Sequence, residues 1–370
     1  MRCSRFSPLL WIVSAIAIVS VACQPIPSSS SAPFIAASAT TLPATERPVW
    51  TPTAVRTPPS LPGIYQSSYL NALDTPRTYL ADTCQYLRDK WDSSHAAPGT
   101  IVLVVMLHSI TKGHLESKDA MGVIDFARMM DDLHEQKFQA VNAQQLADFL
   151  DHNAKIPSRS VLLMQDGRRF ADNFNKHFRF YWDQWNWSVV NAWDSEAVTT
   201  QALLDENVAL ENEGWVDHQV YGISLDASSA ALSEQYFTYE LQKALTTFQT
   251  QFTKTPVAIV WPSGLDLDAV QAARGLGYRL GFTSNARGPL MFNWVPLAES
   301  MDTLRPSYAP EGRIGDPLMT LPRYWPYQVH AALDSVRVMG KEASAYAEQN
   351  KATELEYYDI VCAPTYGPIP

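Results

Sequence analysis

Across its 370 residues the chain has only four cysteines, and no two of them form a Cys-x-x-Cys pair. A zinc site built on thiolates therefore has no support. Charge is also sparse: 18% of residues are charged, with 28 basic against 38 acidic side chains and a net charge of −10. No block of Lys and Arg occurs, which makes nucleic acid and anionic membrane surfaces poor partners. No apolar run reaches the roughly 20 residues that a membrane-spanning helix needs. Internal repeats are lacking too. What is present is 46% hydrophobic residues, with 11 Trp and 16 Tyr. That composition supplies a large core or a sugar-stacking surface, and it excludes collagen-like, coiled-coil and wholly disordered chains.

The first 23 residues read as a secretory signal. Arg2 and Arg5 form a basic start, and Leu9 to Val21 is a short apolar run ending at Ala22-Cys23. Ala22 before Cys23 resembles a lipoprotein cleavage site, after which Cys23 would carry the lipid that holds the protein to a membrane. Ordinary secretion, extracellular or periplasmic, is the alternative. Residues 24–62 contain 9 Pro, 6 Ser, 6 Thr and 6 Ala, 27 of 39 positions. Such a stretch cannot bury a core and reads as a disordered tether. Residues 63–370 then form one domain with its core over about 100–330. Cys84 and Cys362 remain near the two ends of that domain, and an oxidising compartment favours a disulfide between them, with two buried thiols as the alternative.

Within the domain, Asp74-Thr75-Pro76 reads as a helix start, with the helix running through Tyr79, Leu80, Leu87 and Trp91. Ile101 to Leu107 is an uninterrupted apolar run, as expected of a strand buried on both faces. Further strands are expected at Phe138–Val141, Ser160–Met164, Trp187–Ala192, Trp215–Val220, Val257–Trp261 and Arg279–Phe282, alternating with helices. This alternation predicts an α/β fold with a mainly parallel sheet, open or closed into a barrel. Functional side chains in such folds sit at the carboxyl ends of strands. Here those ends are His108-Ser109, Gln165-Asp166-Gly167, Asp217-His218, Trp261-Pro262-Ser263-Gly264 and Thr283-Ser284-Asn285.

An ordered series of short segments accompanies these ends: Met106-Leu-His108-Ser-Ile110, Phe126 to Leu150, Ile156-Pro-Ser-Arg-Ser-Val-Leu-Leu-Met-Gln-Asp-Gly167, Glu213-Gly-Trp-Val-Asp-His218, Trp261-Pro-Ser-Gly264 and Leu276-Gly-Tyr-Arg-Leu-Gly-Phe-Thr283. In content and order the series resembles the polysaccharide deacetylases of the NodB-homology type, carbohydrate esterase family 4. The resemblance implies an irregular (β/α) barrel of seven or eight strands and removal of an acetyl group from a glycan such as a cell-envelope polysaccharide or peptidoglycan. In that chemistry a divalent metal, zinc or similar, on an Asp and two His lowers the pKa of its bound water. A second carboxylate is the base, a His is the acid, and a backbone N–H stabilises the oxyanion.

Mapped onto this chain, the resemblance assigns Asp166 and His218 to the metal, His108 to the acid and the Ser263 backbone to the oxyanion. Two positions depart from the pattern. Gln165 stands where the base belongs, and an amide cannot take a proton near neutral pH. Gly222 stands where the second metal His belongs, and it has no side chain. Asp217 and Asp226 are the carboxylates considered as substitutes, Asp217 poorly because it alternates with His218 along a strand. The expectation is a deacetylase fold with impaired chemistry, or a non-catalytic glycan-binding or scaffold lipoprotein. Restoring activity would then require Gln165→Asp together with Gly222→His. Trp182, Trp185, Trp187 and Trp193 read as a helix packed on its following strand, with Trp193 and Trp261 as possible glycan contacts. Arg168-Arg169 offers either an acidic-sugar site or local ion pairs.

Overall fold

The apolar runs form parallel strands around a closed ring. The computed structural model describes residues 56–112, 120–167, 169–223, 233–262, 265–301, 303 and 310–370. In chain order the strands are β1 (Asp74–Arg77), β2 (Ile101–Leu107), β3 (Ser109–Thr111), β4 (Ala120–Gly122), β5 (Gln139–Ala140), β6 (Arg159–Gln165), β7 (Val189–Trp193), β8 (Val216–Tyr221), β9 (Ala258–Val260), β10 (Leu280–Phe282) and β11 (Val295–Ala298). The helices are α1 (Thr83–Trp91), α2 (Val123–Glu135), α3 (Ala143–His152), α4 (Ala171–His177), α5 (Arg179–Trp185), α6 (Gln201–Asn212), α7 (Glu234–Phe252), α8 (Leu267–Gly275) and α9 (Pro326–Tyr357).

The main sheet runs β10-β9-β8-β7-β6-β2, all parallel, with β5 also pairing β6. Its two edges meet through residues 321–324. Leu321 exchanges backbone hydrogen bonds with β10 (its N–H to Gly281 O, and its carbonyl with Thr283 N), and Tyr324 does the same with Val104 and Met106 of β2. Six strands and this segment therefore make a seven-stave (β/α) barrel, which leaves no open edge. Along each stave the side chains alternate. Val102, Val104, Leu162, Met164, Val190, Ala192, Val260 and Phe282 share one cluster, while Leu103, Val105, Val161 and Leu163 belong to an outer layer with α2 and α9. On another flank Val220 and Ile259 pack with α7 and α8.

Helix α3 covers the amino ends of the staves. Asn142 and Gln145 form a capping box at its start. The Ala143 N–H donates to Asp217 Oδ2, and Arg279, just before β10, pairs with Asp148 and Asp151.

Three sequence expectations need correction. The Asp74-Thr75-Pro76 stretch is a strand, β1, paired antiparallel with β11. The helix begins at Thr83 because Asp82 caps it, its carboxylate accepting from the Cys84 and Gln85 N–H groups. The tether does not extend to residue 62: Arg56 pairs with Asp359, and Leu61 packs beside Leu87, Tyr358 and Cys362. From Val55 to Pro370 the chain forms one compact unit. Lastly, the core does not stop near residue 330. Helix α9, 32 residues long, lies along β2 and buries Val329, Leu333, Val336, Met339 and Ala343. It approaches closely enough that a Cβ on Gly340 would stand 2.9 Å from Ile101 Cγ2. A π-helical turn, Tyr358–Cys362, follows, and Cys362 is bonded to Cys84 of α1 with Cα atoms 5.3 Å apart. Residues 1–23, including Cys23, lie outside the described residues.

Candidate functional site

The carboxyl ends of the staves bring together His108 after β2, Gln165 and Asp166 at β6, Asp194 after β7, Tyr221 at the end of β8, and Asn285 after β10, where Arg323 of the closing segment donates its N–H to the Asn285 carbonyl. Ser263 and Asp226 lie outside the described residues, as does Arg168.

Asp166 is the hub of this mouth. Its Oδ1 faces His108 Nδ1 at 3.0 Å, and its Oδ2 accepts from Arg323 Nη1 at 2.9 Å. The Arg323 side chain is 1% exposed, and its Nε donates to Thr283 O at 2.7 Å. A guanidinium buried this deeply needs a paired anion, and Asp166 supplies it. The His108 ring is 46% exposed and lies against Gly167, whose φ is +80° and where a Cβ would come within 2.6 Å of the imidazole. Glycine is needed there for both the backbone and the ring. With the Asp166 carboxylate as acceptor, Nδ1 is the donor of this pair.

Gln165 points elsewhere. Its Nε2 donates to three carbonyls, Leu107 O at 2.7 Å, Asp166 O at 2.9 Å and His108 O at 3.0 Å. Arg169 adds Nε and Nη2 to the same His108 carbonyl. The position expected to hold a base is therefore a clamp on the loop that carries His108, and an amide donor suits that role where a carboxylate would not. Tyr221 sits above the inner face of β8. Burial, with the charge of Asp166 nearby, pushes its phenol up to about 12, so it remains a neutral hydrogen-bonding group at any ordinary pH.

His218 is not part of this mouth. β8 runs on to Tyr221, so His218 stands in mid-strand with its side chain directed at the outer helices. It is 0% exposed, with Nδ1 on Glu211 Oε2 at 2.9 Å, Nε2 on Asn207 Oδ1 at 3.3 Å, and its ring 4.4 Å from the Phe252 ring. Gly222 is packed on β9, where a Cβ would meet Val260 O at 3.1 Å. Asp217 binds Lys254 and the Ala143 N–H at the far end of the barrel.

The described residues thus do not fit a divalent ion. Both oxygens of Asp166 are committed, one of them to a buried cation, and both ring nitrogens of His218 are taken by α6. Among the described residues no group of three His, Cys, Asp or Glu side chains could hold a metal. The tryptophan contacts are corrected as well. Trp193 and Trp261 are each 1% exposed, with their indole N–H groups bonded to Gln251 Oε1 and Met319 O, so neither presents a face to a glycan. Trp187 is buried, and Trp185 stacks on His134 at 4.1 Å.

Sequence reading missed three members of the mouth, Asp194, Tyr221 and Arg323. Tyr221 would have emerged had β8 been followed one residue further, because alternation then turns it inward. Arg323 had no such signal, since its segment is too short to show a period.

No protein-family model and no curated relative matches the chain. Among solved structures it is similar to a Streptococcus pyogenes deacetylase, PplD, in complex with acetate, at TM-score 0.48 and 16% identity, covering 65% of this chain and 99% of that one. It is similar to IcaB from Ammonifex degensii at TM-score 0.47 and 12% identity, covering 66% and 98%. A de-N-acetylase from Aggregatibacter actinomycetemcomitans aligns at TM-score 0.45 and 15% identity, covering 61% and 94%.

Proposed function

We propose that the protein is an exported, membrane-tethered glycan-binding protein. Its barrel mouth receives an N-acetylated cell-envelope polysaccharide or peptidoglycan strand without metal-dependent deacetylation. The ordered motifs that resemble polysaccharide deacetylases support the glycan, and the leader ending at Ala22-Cys23 supports the tether. One observation carries the non-catalytic reading: the Asp166 carboxylate is closed between Arg323 and His108. A carboxylate so neutralised is a structural anion. Tyr221, a neutral phenol at the mouth, is then placed to orient sugar hydroxyl and acetamido groups by hydrogen bonding.

The test is calorimetric titration of purified protein with chitooligosaccharides and peptidoglycan fragments, with and without a chelator. Binding is expected to be unaffected by the chelator and to weaken roughly three- to tenfold in Tyr221→Phe, the loss of about one net hydrogen bond. Acetate release that depends on an added divalent ion would overturn the proposal. For the anchor, cells fed labelled palmitate should label the wild type but not Cys23→Ala. Equal labelling of the two would refute lipidation at Cys23.

A further inference from the structure

A second site lies at the other end of the barrel. Residues 61–65, α1, α3, the 291–294 segment and α9 surround a cavity of about 170 Å³. Gly99 and Thr100 line it, and β2 begins at the next residue, so the length of that strand, about 20 Å, separates the cavity from His108. Six rings stand in its walls: Tyr65, Tyr86, Phe149, Phe292, Trp294 and Tyr346. These rings already hold one another in place, Tyr65 at 6.1 Å from Trp294 and 5.8 Å from Tyr346, and Tyr86 stacked on Phe292 at 5.8 Å.

The space is a recess partly open to solvent, between rings that hold one another in place. An apolar cavity of about 150 Å³ accepts one benzene ring, which sets the scale of what fits. Charge is absent from the recess in net terms, because Lys90 and Glu354 pair with each other at 2.7 Å. Besides the hydroxyls of Thr78, Thr100 and the tyrosines, two amides add polarity. Asn293 Oδ1 accepts from the Tyr79 and Leu80 N–H groups, while its Nδ2 has no hydrogen-bond partner among the described residues. Asn153 Nδ2 donates to Asp89 O and Ala96 O, while its Oδ1 likewise has none.

We infer that this cavity binds a small neutral aromatic molecule, a single ring bearing a hydroxyl. The ring packs among Tyr65, Phe292 and Trp294, and the hydroxyl hydrogen-bonds one of the two unpaired amide groups. The site is independent of the glycan proposal and of the mouth.

Phenol is the probe. Titrated into the full chain and followed by protein-detected NMR, it should bind saturably at one site, with intermolecular contacts from its ring to Trp294 and Tyr65. Ala347→Leu, which fills the cavity from α9, should weaken binding by at least about tenfold; Ala343→Leu serves if that variant does not fold. N-acetylglucosamine should fail to displace phenol. Absence of saturable binding, an unchanged affinity in a folded cavity-filled variant, or displacement of phenol by N-acetylglucosamine would each overturn the inference.

Discussion

Arg323 and Asp166 form a charge pair whose members are 1% and 8% exposed in their side chains. Removing one member of such a pair leaves the other buried without compensation, so Arg323→Met should cost about 3–5 kcal/mol in urea unfolding. Replacing both with apolar residues should cost much less. The clamp by Gln165 carries a second expectation. Gln165→Asp turns an acceptor toward three carbonyl oxygens, and Gly222→His forces a side chain against Val260 O and Ile259. Assays of the double variant should therefore show lowered stability and no gain of deacetylation, contrary to what the motif pattern alone suggests. His218 sets a pH dependence. Burial outweighs the hydrogen bond and charge of Glu211, holding the imidazole below its ordinary 6.5. The unfolded chain then binds a proton that the folded chain refuses, and stability should fall as pH drops below about 6.5. Denaturant midpoints between pH 7.5 and 5 would show this slope, and His218→Gln should flatten it. His108 and Asp166 were legible as residues because each directly follows an apolar strand. His218 was misplaced because an ambiguous polar stretch, Asp217-His218-Gln219, looked like a strand end.

At the scale of elements, uninterrupted apolar runs such as Ile101–Leu107 revealed themselves because staves buried on both faces have no polar side to interrupt them. Helix α9 gave no comparable signal. Much of its inner face is Ala332, Gly340, Ala343 and Ala347, residues too small to stand out as a hydrophobic stripe. The same smallness is why α9 fits closely on β2. Gly340→Ala would place a methyl 2.9 Å from Ile101 Cγ2 and 3.0 Å from Gly99 O, and it should destabilise by about 1–3 kcal/mol through overpacking. The Cys84–Cys362 bond ties α1 to the turn beyond α9 across a separation of 278 residues. Calorimetry of the Cys84→Ala, Cys362→Ala double variant should show a loss of roughly 2–4 kcal/mol, reflecting the freer unfolded chain. The closing segment 321–324 was illegible for the same reason as Arg323: four residues hold no period, and only the two facing edges define it as a stave.

For the whole molecule, the barrel has two ends with different work. The mouth gathers polar groups at the carboxyl ends of the staves, and the opposite end is sealed by α3, the 291–294 segment and the chain's own residues 61–65. The described chain enters the fold at that end, through Arg56 and Leu61. A load applied there passes to α1 and the Tyr358–Cys362 turn, where the Cys84–Cys362 bond takes it up covalently, so the barrel's first described residues are riveted to its last helix rather than held by packing alone.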